Sequence, residues 1–140
     1  MTLLALDHGR ARTGVAVSDP TGTLARPLPA IARVDSPAGM RALEQVIARE
    51  QPERIIVGEP RLMSGERGTQ ARAAAGFADR VRGRFGIAVD LVDERLSTRE
   101  ASRRLAESGP RKKGGPDLDS LAACVLLESV LRQRRENVIA

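Results

Sequence analysis

Aromatic side chains are almost missing from this chain: of its 140 residues only Phe77 and Phe85 carry a benzene ring, and there is no tyrosine or tryptophan. Proteins that hold single-stranded nucleic acid by stacking bases on exposed rings lose their main device here. Cysteine and histidine are equally scarce, at one residue each. A disulfide within the chain is excluded, and so is a zinc site assembled from thiolates and imidazoles. Cys124, inside Leu121-Ala122-Ala123-Cys124-Val125-Leu126, reads as a core residue of a protein kept in a reducing compartment. No apolar run approaches the roughly 20 residues of a membrane span. The apolar run at the N-terminus has no charged segment ahead of it, so a cytoplasmic location and no membrane partner are expected. Lysine is nearly absent too, Lys112 and Lys113 being the only two, so arginine supplies almost all of the basic charge.

That charge is in excess. A formal net charge of +5 favours a polyanionic partner, of which nucleic acid is the commonest, although arginine in this amount is also compatible with an ordinary solvated surface. A chain of this length, with 41% hydrophobic residues, can fill one modest core, and no repeat, low-complexity tract or linker divides it; residues 1–140 are expected to form a single domain.

Hydrophobic patterning lays out the elements. Residues 3–8 read as a buried strand, Gly9-Arg10-Ala11-Arg12 as a turn, and residues 13–18 as the returning strand. A third strand, within Leu24 to Val34, contains Pro27 and Pro29, which cannot donate to a ladder, so it belongs at a sheet edge. Ser36 caps a helix with Pro37 in its first turn and an apolar stripe of Met40, Leu43, Val46 and Ile47, ended by Pro52. Residues 54–58 make a short core strand. The glycine-rich stretch Ser64 to Gly68 is a loop, and Ala71, Ala74, Ala75, Ala78, Val81 and Phe85 mark a long helix whose small residues permit close packing. A strand ending at Glu94 follows. Ser97 and Glu100 form a capping box for a helix to about Glu107, residues 108–116 look like a loop, and a terminal helix runs from Asp117 to about Arg135. The order βββαβαβα suits an α/β fold with a five-stranded mixed sheet flanked by helices.

Three carboxylates stand at the ends of these runs. Asp7 closes Leu3-Leu4-Ala5-Leu6, Glu94 closes the run from Ile87, and Asp119 opens the terminal helix. They converge only if both strands share a sheet and the last helix packs back on it. Carboxylates brought that close repel unless a cation neutralises them, so the pattern points to a divalent-metal site. Taken singly, Asp119 could serve the helix dipole, a duty for which Asp117, preceding the first turn, is the better placed, and Glu94 could pair with Arg95 or cap a backbone amide.

Four ordered blocks carry a more specific signal. Leu6-Asp7-His8-Gly9 leads into Arg12-Thr13-Gly14-Val15-Ala16-Val17-Ser18-Asp19; then come Ile56-Val57-Gly58 with Pro60 and Gly65, Asp93-Glu94-Arg95-Leu96-Ser97-Thr98, and Asp119-Ser120-Leu121-Ala122-Ala123. Together they resemble the YqgF/RuvX family over nearly the whole chain. The resemblance implies a ribonuclease H-like fold. Members are described as Holliday junction resolvases and, in bacteria, as nucleases acting in maturation of the 5′ end of 16S ribosomal RNA. It therefore implies a metal-dependent endonuclease acting on pre-16S rRNA or branched DNA, with Asp7, Glu94 and Asp119 as the catalytic, metal-holding residues. Two divalent ions roughly 4 Å apart would stabilise the attacking and leaving oxygens, with Asp7 bridging them. Mg²⁺ suits the all-oxygen set, and Mn²⁺ is the expected substitute.

Around these residues the reading is less sharp. Arg10 and Arg12 flank the first acidic strand end and are candidate phosphate contacts. Arg95, Ser97 and Thr98 sit where hydroxyls and amides could hold a phosphate, although capping explains Ser97 equally. Lys112 and Lys113 lie in a loop suited either to a basic flap or to solvent. His8, adjacent to Asp7 on a strand, should face the other way and be structural. Two positions depart from the family pattern. Glu59 stands where an apolar residue is usual, and is either a fourth metal ligand or an ion-pair partner of Arg61 in solvent. Asp117 stands where a basic residue is usual, and could add a ligand or weaken a phosphate contact. Other classes stay open: a non-catalytic basic module binding rRNA or a junction, and a relative of actin-like and sugar-kinase phosphate-binding domains, which Asp7-x-Gly9 with Gly14-Val15-Ala16 also resembles. Paired cuts across a junction would call for a homodimer.

Overall fold

The computed structural model describes residues 1–95 and 118–139. The capped helix expected from Ser97, the loop at 108–116, and with them Ser97, Thr98, Lys112, Lys113 and Asp117 lie outside the described residues. In chain order the elements are β1 (Leu3–Asp7), β2 (Arg12–Ser18), β3 (Ala25–Ala32), α1 (Pro37–Glu50), β4 (Arg54–Glu59), α2 (Thr69–Phe85), β5 (Ala88–Asp93) and α3 (Leu118–Ile139). The terminal helix thus runs on past Arg135, where the sequence reading ends it.

One five-stranded sheet, ordered β3-β2-β1-β4-β5, organises the chain. The first three strands form an antiparallel meander, and β4 then β5 add in parallel beside β1. β3 takes the edge, as its two prolines require. Strand alternation splits the apolar residues between the faces. Leu4, Leu6, Val15, Val17, Ile55 and Val57 pack with Leu43 of α1 and Phe77, Ala78 and Val81 of α2, whereas Leu3, Ala5, Ala16 and Ile56 pack with Ala123, Leu126, Leu127 and Val130 of α3. Each large side chain buried in these layers stabilises the fold by about 1.5–3 kcal/mol. Phe77, wholly buried, belongs to the α2 stripe that the sequence pattern marks mainly by alanines. Cys124 is buried in the α3 layer.

Local chemistry fixes the ends. The Ser36 hydroxyl accepts from the Gly39 amide at 3.0 Å, and Pro37 stands at the first helical position of α1. Gln51, in the left-handed region at φ 48°, closes that helix by donating its amide to Ile47. Pro52 then forbids continuation. The consequence for the site is that β1, β4 and β5 run in one direction. Their C-terminal ends, Asp7, Glu59 and Asp93, therefore lie along one edge of the sheet, with the start of α3 packed over it on one face.

Candidate active site

Asp7 continues the alternation of Leu3 and Ala5, so it faces α3. Directly across from it on β2 is Gly14. A Cβ at Gly14 would lie 1.8 Å from the carbonyl oxygen of Asp119 and 2.8 Å from the Ser120 nitrogen, so the missing side chain is the space the first turn of α3 occupies. The buried Ser120 hydroxyl locks that contact. It donates to the Leu28 carbonyl at 2.6 Å and accepts from the Val15 amide at 3.2 Å, tying α3 to β3 and β2 together.

On the other flank of β1, Gly58 does the same for Glu94. A Cβ at Gly58 would come within 2.1 Å of Glu94 Oε1, so the Glu94 side chain folds back across β4 towards Asp7. Its amide donates to the Glu59 carbonyl at 3.1 Å. The Asp7 and Glu94 carboxyl groups are hydrogen-bonded to each other. Burial, then that hydrogen bond and the Asp7 charge, with Asp93 adding to it, push the Glu94 carboxyl far above the usual carboxylate range.

Asp119 is brought to the same edge by its backbone, but its carboxylate turns to Arg12, 3.6 Å from Nε, with both side chains half-exposed. Among the described residues no three acidic, histidine or cysteine side chains stand together closely enough to hold an ion. The structure therefore joins Asp7 to Glu94 and sets Asp119 beside them on an ion pair.

The remaining candidates separate. Glu59 ends β4 on the opposite face of the sheet, in line with Ile55 and Val57, and is buried. Its Oε1 accepts from Arg61 Nε at 2.7 Å and from Arg67 Nε at 2.6 Å, and its Oε2 from Arg67 Nη2 at 3.3 Å. Glu59 thus pairs with Arg61, but buried at the end of a core strand rather than in solvent as expected, and with Arg67 as a second partner. Arg95 pairs with Asp93, not with Glu94: Nη2 donates to Oδ2 at 2.7 Å and the Arg95 amide to Oδ1 at 2.9 Å. Hydrogen bonding to Arg95, opposed by burial, keeps the Asp93 carboxyl below its ordinary value. Arg10 lines a cavity of about 350 Å³ with His8, Gly9, Asp35 and residues of the first turn of α2. His8 does face away from Asp7. Its ring stacks on Phe77 at 4.6 Å and its Nε2 meets Asp35 Oδ2 at 2.8 Å. Arg67 and Asp93 are given no site role by the sequence, although Asp93 stands in one of the ordered blocks and Arg67 in the glycine-rich loop; a charge of opposite sign at short spacing, eight residues from Glu59 and two from Arg95, is the signal that finds them.

An α/β sheet of this order, with α3 packed over one face where β1 ends, defines a class of protein by its architecture: the ribonuclease H-like fold. Solved structures share this fold. Thermus thermophilus RuvC in complex with a Holliday junction substrate superposes with a TM-score of 0.59 at 19% identity, covering 97% of this chain and 96% of that one. The Fowlpox virus resolvase bound to Holliday junction DNA gives 0.60 at 13% identity, covering 96% and 99%. At such identities the likeness concerns the fold. The sequence is more specific: the chain belongs to the RuvX family, described as Holliday junction resolvase, matching over residues 1–133. Relatives from Escherichia coli strains O157:H7 EC4115 and O7:K1 IAI39, both bearing the name "Putative pre-16S rRNA nuclease", are 43% and 44% identical over 133 residues, covering 94% of this chain and 96% of their own length.

Proposed function

We propose that this protein is a divalent-metal-dependent endonuclease that hydrolyses phosphodiester bonds in structured nucleic acid, with pre-16S rRNA and four-way DNA junctions as its two candidate substrates. The observation that carries the reading is the contact of the Asp7 and Glu94 carboxyls, delivered from two strands under the first turn of the helix that bears Asp119. The substrate class comes from the family description and from the names of the relatives.

The donor set fits a hard divalent cation such as Mg²⁺, with Mn²⁺ as a substitute. All its atoms are carboxylate oxygens, and the upward push on the Glu94 carboxyl beside Asp7 reflects negative charge that a cation there would offset. When bound, such an ion supplies Lewis acidity and an activated water for attack on phosphorus. Asp7, central on β1, lies between the other two acids; Glu94 stands on the β4 side and Asp119 on the β2 side. Arg12, which pairs with Asp119 at this edge, is a candidate to bind a phosphate oxygen. Arg10, Arg95, Ser97, Thr98, Lys112 and Lys113 make up the surrounding phosphate contacts. Glu59 does not join the metal set in this reading, because it faces the other layer and already neutralises two guanidinium groups.

The pairing of Asp119 with Arg12 favours a second reading, a basic module that binds rRNA or a junction without cutting it. A cleavage assay offering a four-way DNA junction and a 5′-extended 16S precursor, with Mg²⁺ or Mn²⁺, decides between them. Cleavage of either substrate that EDTA and Asp7→Asn both abolish supports the nuclease; tight binding with no cleavage at any metal concentration supports the module.

A further inference from the structure

Beyond β4 the chain forms a loop that ends where α2 begins at Thr69. Its base is the buried Glu59 carboxylate, which gathers Arg61 and Arg67 from both arms of the loop. Two backbone hydrogen bonds close it, Leu62 N to Glu66 O at 3.0 Å and Gly65 N to Leu62 O at 2.8 Å. Arg61 Nη1 reaches the Gly65 carbonyl, and Arg95 Nη1 reaches the Met63 carbonyl, each at 3.5 Å. So braced, the loop presents Met63 at its tip with 94% of its surface exposed, next to a half-exposed Leu62. A pinned loop that holds a long apolar side chain in water gains nothing for the fold by doing so.

Position tells what that side chain meets. The loop leaves β4 at Glu59, whose carbonyl accepts from the amide of Glu94, and its tip is tied to Arg95, the next residue along. The tip is therefore tied to the residue that follows Glu94, at the same edge of the sheet as the Asp7–Glu94 pair, with Arg61 and Arg67 at its foot. Guanidinium groups around an apolar tip match a phosphate backbone around a base step. Methionine is among the side chains that proteins insert between bases to unstack them, and this chain has no exposed ring to serve instead. We infer that the loop from Arg61 to Arg67 is a wedge in which Met63 contacts an unstacked base beside the scissile phosphate, and that Glu59 is the positioning residue that holds the wedge. This rests on the nuclease reading for its substrate, and it gives Glu59 a role outside the metal set.

The test reads base unstacking without cleavage. A four-way DNA junction carrying 2-aminopurine at the branch point, and an RNA hairpin carrying it where duplex meets single strand, are each saturated with protein in EDTA and their fluorescence followed. Wild type and Asp7→Asn should both raise it several-fold. Met63→Ala and Met63→Ser should lose at least half of the rise while binding within about tenfold of wild type. Met63→Leu should retain it, and so should Leu24→Ala, an equally apolar exposed change at the far end of the sheet. A rise on only one of the two probes identifies that nucleic acid as the one the wedge enters. Saturation with no rise, or a full rise with Met63→Ala, overturns the inference. If the enzyme cleaves in Mg²⁺ yet gives no rise, the wedge fails and the nuclease stands; if a Met63-dependent rise occurs in a protein that cuts neither substrate, the wedge stands and the nuclease fails.

Discussion

Replacing Gly14 by alanine should do more damage than its single methyl suggests. The new Cβ would lie 1.8 Å from the Asp119 carbonyl oxygen and 2.2 Å from its carbon, both backbone atoms that no rotamer can move. Relief requires α3 to withdraw from β2 by about 1 Å, which strains the Ser120 bonds to Val15 and Leu28. Overpacking of this kind costs about 1–3 kcal/mol, and two weakened buried hydrogen bonds add about 1 kcal/mol each. The sum is about 3–5 kcal/mol, or a fall in melting temperature of roughly 9–15 °C for a chain of this size. Urea and thermal melts in EDTA measure it. Gly83→Ala is the internal control: nothing stands within 4 Å of its Cβ position on α2, so alanine there should stabilise by about 0.5–1 kcal/mol. Because α3 carries Asp119, Gly14→Ala should also lower metal affinity. A variant as stable and as active as wild type would refute the claim that Gly14 sets the seat of the helix.

Other expectations follow from the same geometry. Glu94→Gln keeps a hydrogen-bond donor towards Asp7, so its stability in EDTA should stay within about 1 kcal/mol of wild type, while cleavage falls by orders of magnitude; equal loss of both would mean that Glu94 is structural. Burial raises the Asp35 carboxyl, but hydrogen bonds from His8 and Arg80 and their charges outweigh it and hold it below its ordinary 3.8. The stability it contributes is present above that unfolded value and is lost as pH falls through the lower folded one, so below about pH 4 wild type should lose melting temperature more steeply than Asp35→Asn. Matching acid limbs would remove that role. Replacing Lys112 and Lys113 by alanine should flatten the slope of log affinity for nucleic acid against log salt by up to about 2; an unchanged slope would leave both lysines in solvent.

Much of this arrangement is legible in one dimension because each feature has a local cause. Pro27 and Pro29 exile β3 to the edge, and Ser36 with Pro37 starts α1. Asp7 ends an apolar strand, and alternation alone turns His8 to the other face. Alternation also places Glu59 with Ile55 and Val57, away from Asp7, but an acid at a strand end invites a ligand reading until its two arginines are seen to close on it. What a single chain does not display is register. That Gly14 faces Asp7 depends on how the first hairpin pairs, and that the same glycine admits the backbone of Asp119 depends on a contact spanning more than a hundred residues. The Arg12–Asp119 pair is of the same kind. Arg95 illustrates a smaller ambiguity: two neighbouring acids offer themselves, and backbone direction after β5 gives it to Asp93.

The central claim is that Asp7, Glu94 and Asp119 act together as a seat for divalent cations, and direct Mn²⁺ uptake tests it most simply. With the electron paramagnetic resonance signal of free Mn²⁺ as readout at neutral pH, the wild-type protein should remove the ion from solution at submillimolar concentration, whereas Asp7→Asn, and separately Asp119→Asn, should leave nearly all of it free. Uptake by both variants equal to that of wild type would place any metal site elsewhere and contradict the account.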